Sequence, residues 1–197
     1  MNHPKLDFAN GIRLGIGMYG YYSNPVYNTK GIKNRLREIK RKINKRKNKI
    51  SETTTQIPIE LKSAFKMYSE IIQIKKIKKG EFVGYGAIYR ANEDEIIGIM
   101  PVGYDDGIFR KSRGRFVAIN NKKYQIIGDV GMGMTAVKID NTIKMYDKVT
   151  LIGDQVSIKD VAIHNGTSIY ETMCNIGKQI PRVYIKEDEI IAVEEGK

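Results

Sequence analysis

The stretch RFVAINNKKYQIIGDVGMGMTAVKI, residues 115–139, holds three short segments rich in Ile, Val, Tyr and Phe, at 115–119, 123–128 and 134–139. Runs of this length, bounded by Gly and Asn, read as strands. Asn120-Asn121 suits a tight hairpin turn, because asparagine tolerates the left-handed backbone that such turns need. The same pattern extends outward, with turn formers recurring roughly every ten residues. It predicts further strands at 66–77, 83–90, 95–101 and 148–152. Ser157, with Asp160 behind it, reads as the start of a helix that ends near Asn165-Gly166, and the chain returns to extended structure around Arg182 to Ile185. Residues 61–197 are therefore expected to form a mainly β domain.

Upstream the pattern changes. Between Lys30 and Ile50, Ile32, Leu36, Ile39 and Ile43 are spaced by four, three and four, one stripe of a helix whose other faces are basic. Residues 31–50 hold ten Lys or Arg against one acid, Glu38, so nine of the chain's twelve net positive charges lie in this segment. Docking on a protein, lying on an anionic membrane, contacting phosphates and serving as a solvated connector all fit such a helix. Ser51 to Gln56 reads as a linker ending at Pro58. Residues 11–20, GIRLGIGMYG, read as a short strand or strand end where the backbone approaches something closely.

The 197 residues suit one ordinary domain with an extension. No apolar run reaches the length of a membrane span, and Met1 to Asn10 are too polar for a signal peptide, so a cytoplasmic protein is expected. Cys174 is the single cysteine and reads as a small core residue rather than a nucleophile. His3 and His164 lack ligand spacing, and no metal site is expected.

Six blocks in order resemble the alanine racemase family. They are GIRLGIGMYG (11–20), LKSAFKMYSEIIQIKKIKKGEFVGYGAIY (61–89), PVGYDDG (101–107), GDVGMGMTAVKI (128–139), DKVTLIG (147–153) and GTSIYE (166–171). The resemblance implies a small β-barrel-like carboxy-terminal domain at 61–197, a remnant of the last strand of a β/α barrel at 1–29, and a basic helical insert and linker at 30–60. It also implies pyridoxal phosphate as cofactor and a small amino acid as substrate. The partner would be a second copy of the chain or a separate barrel-domain chain. The lysine-bearing motif of the family's barrel, Lys-Ala-Asn-Ala-Tyr-Gly, does not occur in this sequence, so the chain alone is expected to be inactive.

Racemisation moves protons on both faces of an α-carbon, which calls for two acid/base groups. The resemblance makes Tyr85, in Val83-Gly84-Tyr85-Gly86-Ala87, one of them; the other is the absent lysine. A free phenol ionises only near pH ~10, so a tyrosine base needs positive charge or donors beside it. Arg13 matches the arginine facing the cofactor's pyridine nitrogen. A guanidinium is always protonated and denies that nitrogen a full proton, favouring proton return over transamination. The amides of Gly15 and Ile16 and the hydroxyl of Tyr170 match contacts to the cofactor phosphate. Tyr104 matches a residue of the substrate entrance, and Met132 one whose amide meets the substrate carboxylate.

Where the family reads Gly-Arg-Val-Cys-Met-Asp, this chain reads Gly128-Asp129-Val130-Gly131-Met132-Gly133. A positive charge is lost from the implied substrate corridor, which admits another small amino acid such as serine. Two other classes compete with an enzyme half. One is a non-catalytic relic or interaction domain; the other, weaker, is a basic nucleic-acid-binding module, which lacks a stacked-aromatic motif and carries its charge away from the sheet.

Overall fold

The computed structural model describes residues 15–21 and 61–196. The basic helix over 31–50, the linker after it and Arg13 lie outside the described residues. The chain divides into two compact units, Met1–Phe65 and Lys66–Lys197.

In the first unit Gly15 precedes a 3-10 turn, Ile16–Tyr19; residues 11–14 of the strand or strand end expected over 11–20 lie outside the described residues. Ile16 is buried, and the turn closes at Gly20, whose φ of 78° is left-handed. A Cβ on Gly20 would stand 1.6 Å from the Lys62 carbonyl oxygen, so only glycine fits. The Ala64 N–H donates to the Tyr19 carbonyl at 3.0 Å beside it.

The second unit is built on a seven-stranded antiparallel sheet of β1 (Met67–Glu70), β2 (Gln73–Ile77), β5 (Glu95–Met100), β6 (Phe116–Ile119), β7 (Lys122–Ile127), β8 (Thr135–Ile139) and β9 (Lys148–Ile152). Their order across the sheet is β1-β9-β6-β7-β8-β5-β2. The β6–β7 hairpin turns on Asn120 and Asn121, with φ of 48° and 64°, as expected from the sequence. The outer strands β1 and β2 are consecutive in the chain and separated only by Ile71 and Ile72. A flat sheet with six inter-strand gaps would hold them roughly 29 Å apart, whereas three Cα steps span at most about 11 Å. The sheet must therefore curl until its two edges meet at this joint. Ile71 is held there by its N–H on the Asp147 carbonyl and its own carbonyl on the Tyr146 N–H.

Alternation along β5 packs both of its faces. On one side lies Gly98, where a Cβ would sit 3.0 Å from Ile71 Cδ1 and 3.3 Å from Ile139 Cδ1; only a bare Cα leaves those side chains their space. On the other side Ile97 joins Ile77, Val83, Ala91 and Ile127 in a buried cluster, with Tyr89, Ile99 and Ala136 packed against it. This second cluster fastens a short arm, β3 (Phe82–Val83) paired with β4 (Tyr89–Arg90), to the sheet. The strand expected over 83–90 is thus broken: Gly84, Gly86 and Ala87 have φ of 79°, 73° and 50°, and a 3-10 turn, Tyr85–Ala87, replaces its middle.

At the base of the arm the Tyr89 hydroxyl donates to Glu95 at 2.6 Å, and Lys138 lies 3.1 Å from the other oxygen of this buried carboxylate. Burial, reinforced by the bond to Glu95 and its charge, pushes the Tyr89 phenol above its ordinary 10. The folded chain keeps a proton that the unfolded chain releases above pH ~10, so stability from this group is complete below that pH and lost as pH rises further. Tyr89→Phe is expected to cost about 1–3 kcal/mol at neutral pH by depriving Glu95 of a donor. Its urea stability should also fall less steeply than the parent's above pH ~10; parallel curves would contradict the assignment.

After β9, helix α1 (Ile158–Asn165) begins where Ser157 accepts from the Asp160 N–H and ends at Gly166 with φ 69°, matching the sequence reading. A second helix, α2 (Ile169–Cys174), was not foreseen; Ser168 caps it by accepting from the Glu171 N–H. Cys174 is exposed at its end, not in the core as expected. The extended return is a hairpin, β10 (Arg182–Lys186) with β11 (Glu189–Glu194), whose Val183, Ile185, Ile190, Ile191 and Val193 are exposed. No helix among the described residues is long and apolar enough to cross a membrane.

Candidate functional site

Tyr85 sits at the tip of the arm with 77% of its surface exposed. Both neighbours are left-handed glycines, so the backbone reverses sharply on either side of it. Beneath, the chain at Val83 and Gly84 presses on the 128–131 loop: a Cβ on Gly128 would stand 2.9 Å from the Val83 carbonyl oxygen, and one on Gly84 3.4 Å from that of Asp129. The Tyr85 ring edge lies 3.7 Å from the Cβ position of Gly131, an ordinary packing distance.

The same loop holds Tyr104. Its N–H donates to the Gly131 carbonyl at 3.0 Å, and the Asp105 N–H donates to the Met132 carbonyl at 3.1 Å. Gly103 permits this approach, because a Cβ there would lie 2.1 Å from the Met132 oxygen. Thr135 fixes the strap below by donating to the Val102 carbonyl at 2.6 Å, and Asp106 accepts from the Gly103 N–H at 2.8 Å. Tyr104 and Met132 keep 46% and 62% of their surface exposed. Tyr85, Tyr104 and Met132, far apart in sequence, are thus brought together around Gly131.

Tyr170 is joined to this group less directly. It stands on α2, whose C-terminal end clamps the Tyr104 loop: Asn175 donates to the Gly107 carbonyl at 3.0 Å, the Gly177 N–H to the Asp106 carbonyl at 3.1 Å, and Gln179 to the Asp105 carbonyl at 2.7 Å. Tyr170 is five residues before Asn175, roughly 7.5 Å along the axis, with its ring half-exposed. Among the described residues no hydrogen bond joins it to Tyr85, Tyr104 or Met132.

Asp129, the acid that replaces the family's arginine, is mostly buried and lies 3.8 Å from Arg113. The sequence reading did not single out Arg113. It restores a positive charge next to the substituted position, and its distance in sequence from Asp129 hid the pairing.

The alanine racemase C-terminal domain family matches residues 64–184. The chain belongs to this family. It is 34% identical over 197 residues to the alanine racemase of Anoxybacillus flavithermus, covering 98% of this chain and 44% of that protein. Alanine racemase 1 of Bacillus subtilis is 33% identical over 193 residues, covering 96% and 43%. Among solved structures, alanine racemase from Bacillus anthracis with bound L-Ala-P superposes with a TM-score of 0.75 at 26% identity, covering 97% of this chain and 44% of that one. The Clostridium difficile enzyme in complex with cycloserine gives 0.67 at 31% identity, covering 74% and 40%. The chain therefore spans less than half the length of the relatives it matches.

Pyridoxal phosphate offers a flat ring and a phosphate group. Among the described residues nothing lies within 4 Å of a Cβ position on Gly15, at the start of the Ile16–Tyr19 turn. The first N–H groups of such a turn have no partner within it, which suits an anion. The exposed phenols of Tyr85 and Tyr170 add uncharged donors. Taken separately, the turn of the first unit offers backbone donors of the kind a phosphate accepts, and the second unit offers exposed tyrosine hydroxyls.

Proposed function

We propose that this chain is the carboxy-terminal half of a cytoplasmic pyridoxal-phosphate-dependent alanine racemase, interconverting L- and D-alanine for cell-wall peptidoglycan. It acts with a lysine-bearing barrel half, either in a homodimer or as a separate chain. The observation carrying this reading is the placement of Tyr85: an exposed phenol on an over-determined turn, grouped with Tyr104 and Met132.

Pyridoxal phosphate, when bound, would supply an electron sink for deprotonation at the substrate Cα. Tyr85 Oη takes or returns that proton on one face, and the barrel half's lysine serves the other. The Met132 amide donates to the substrate carboxylate, and Tyr104 borders the entrance. By the family resemblance, Tyr170 and the amides of Gly15 and Ile16 would hold the cofactor phosphate, and Arg13 would serve the pyridine nitrogen. The substrate is alanine or, given Asp129 where the family resemblance has an arginine, another small amino acid such as serine.

The test mixes the purified chain with a separately expressed barrel half and pyridoxal phosphate, and follows L- to D-alanine conversion. Racemisation in the mixture and not with the chain alone is the expected result. Absence of both activity and retained cofactor absorbance would favour a second reading, a non-catalytic interaction domain. The exposed apolar residues of the β10–β11 hairpin, Val183 to Val193, are the observation on its side.

A further inference from the structure

Arg115 precedes β6 and is buried, with 4% of its surface exposed. Its backbone is pinned on both sides, the N–H on the Ser112 carbonyl at 2.9 Å and the carbonyl on the Ile126 N–H at 2.8 Å, so the side chain cannot leave without unpicking the end of the β6–β7 pairing. Of its guanidinium nitrogens, Nη1 donates to the Leu151 carbonyl at 3.3 Å, whereas Nε and Nη2 have no acceptor. No carboxylate among the described residues lies within ion-pair distance of it. The hydroxyls nearby are engaged elsewhere, Ser112 with Asn165 and Thr172 with the Ser168 carbonyl.

Arg115 lines a small cavity between the curled sheet and the two helices, walled also by Met67, Phe109, Ile152, Val161 and Ile176. About 10 Å³ of it is open to the centre of a water-sized sphere. That is room for one water molecule or one monatomic ion, and too little for sulfate, phosphate or a carboxylate. Burial lowers the guanidinium's pKa to about 10, which still leaves it protonated at neutral pH. A buried, uncompensated cation is among the costliest arrangements a fold can hold. A water would accept its hydrogen bonds and leave its charge; an anion answers both.

We propose that this cavity is a structural binding site for a chloride-sized monovalent anion, held by Nε and Nη2 of Arg115. Such an ion binds the folded chain and not the unfolded one, so it raises the melting temperature with concentration.

The experiment is thermal unfolding of the full chain in sodium chloride against sodium gluconate at equal ionic strength. Once chloride exceeds its Kd, each tenfold increase should raise Tm by about 3–6 °C, with no comparable slope in gluconate. Arg115→Met keeps the apolar stem and removes the charge; it should abolish the chloride slope while surface screening persists. Should that variant not fold, bromide substituted into crystals of the unmodified chain should give an anomalous peak within hydrogen-bond reach of Arg115. Equal melting in the two salts, a chloride slope surviving in Arg115→Met, or no bromide peak in the cavity would each overturn the proposal and leave water as the occupant.

Discussion

Tyr85→Phe is expected to reduce racemisation by the reconstituted enzyme by about 10²–10⁴-fold, the usual worth of a positioned acid/base group. The substitution removes one oxygen from a ring that is mostly solvent-exposed, so folding should be unaffected. The loss should also be one-sided. In D₂O the barrel half's lysine would still exchange the α-hydrogen of one alanine enantiomer, without inversion, while the other enantiomer keeps its hydrogen. Equal loss of exchange from both enantiomers would point to a displaced cofactor, and racemisation within tenfold of the parent would remove Tyr85 from the mechanism.

Gly103→Ala should have the largest effect on stability. A methyl group there meets two backbone carbonyls, 2.1 Å from the Met132 oxygen and 2.3 Å from that of Gly131, and neither can swing away as a side chain would. Relief requires the 103–105 strap to part from the 131–132 loop, breaking the Tyr104 and Asp105 hydrogen bonds. With strain added, the cost is about 3 kcal/mol or more, a drop in Tm of roughly 6–12 °C. Gly133→Ala is the control: among the described residues nothing lies within 4 Å of its Cβ position, and the change should stay within about 0.5 kcal/mol of the parent. Similar melting of both variants would refute the close approach at Gly103.

The strands were legible where one local signal settled them. Asn120-Asn121 announced its hairpin, and Ser157 its helix, because turn and cap chemistry act within a few residues. The break in 83–90 was harder: Gly84 and Gly86 read equally as strand glycines, and only their positive φ separates an arm with a turned tip from a continuous strand. Helix α2 left a signal that was overlooked, Ser168 followed by Glu171 three residues later, the spacing of a capping box. β11 was hidden because its turn uses Glu187 and Asp188, with φ of 52° and 65°, in place of asparagine or glycine. Tyr85 was singled out by family resemblance, since nothing in composition distinguishes it from the chain's other tyrosines. Its grouping with Tyr104 and Met132 depends on pairings across the fold that no sequence window contains. Arg115, at the head of an ordinary strand pattern, gave no hint of burial.

The joint at Ile71-Ile72 also sets an order of events. β6 and β7 are neighbours in sequence, and a hairpin of that kind closes in about 1–10 μs. β1, by contrast, finds its partner in β9, where Met67 pairs with Ile152. Until that distant segment has been synthesised, the first strand has nowhere to add, and β2 waits likewise for β5. Long-range pairings of this kind make folding slow, and on the ribosome they postpone completion of the sheet until most of the domain has emerged. The nascent chain must meanwhile carry the open edge of β1 exposed, which makes residues 67–70 the place where a chaperone or a second nascent chain has longest to act.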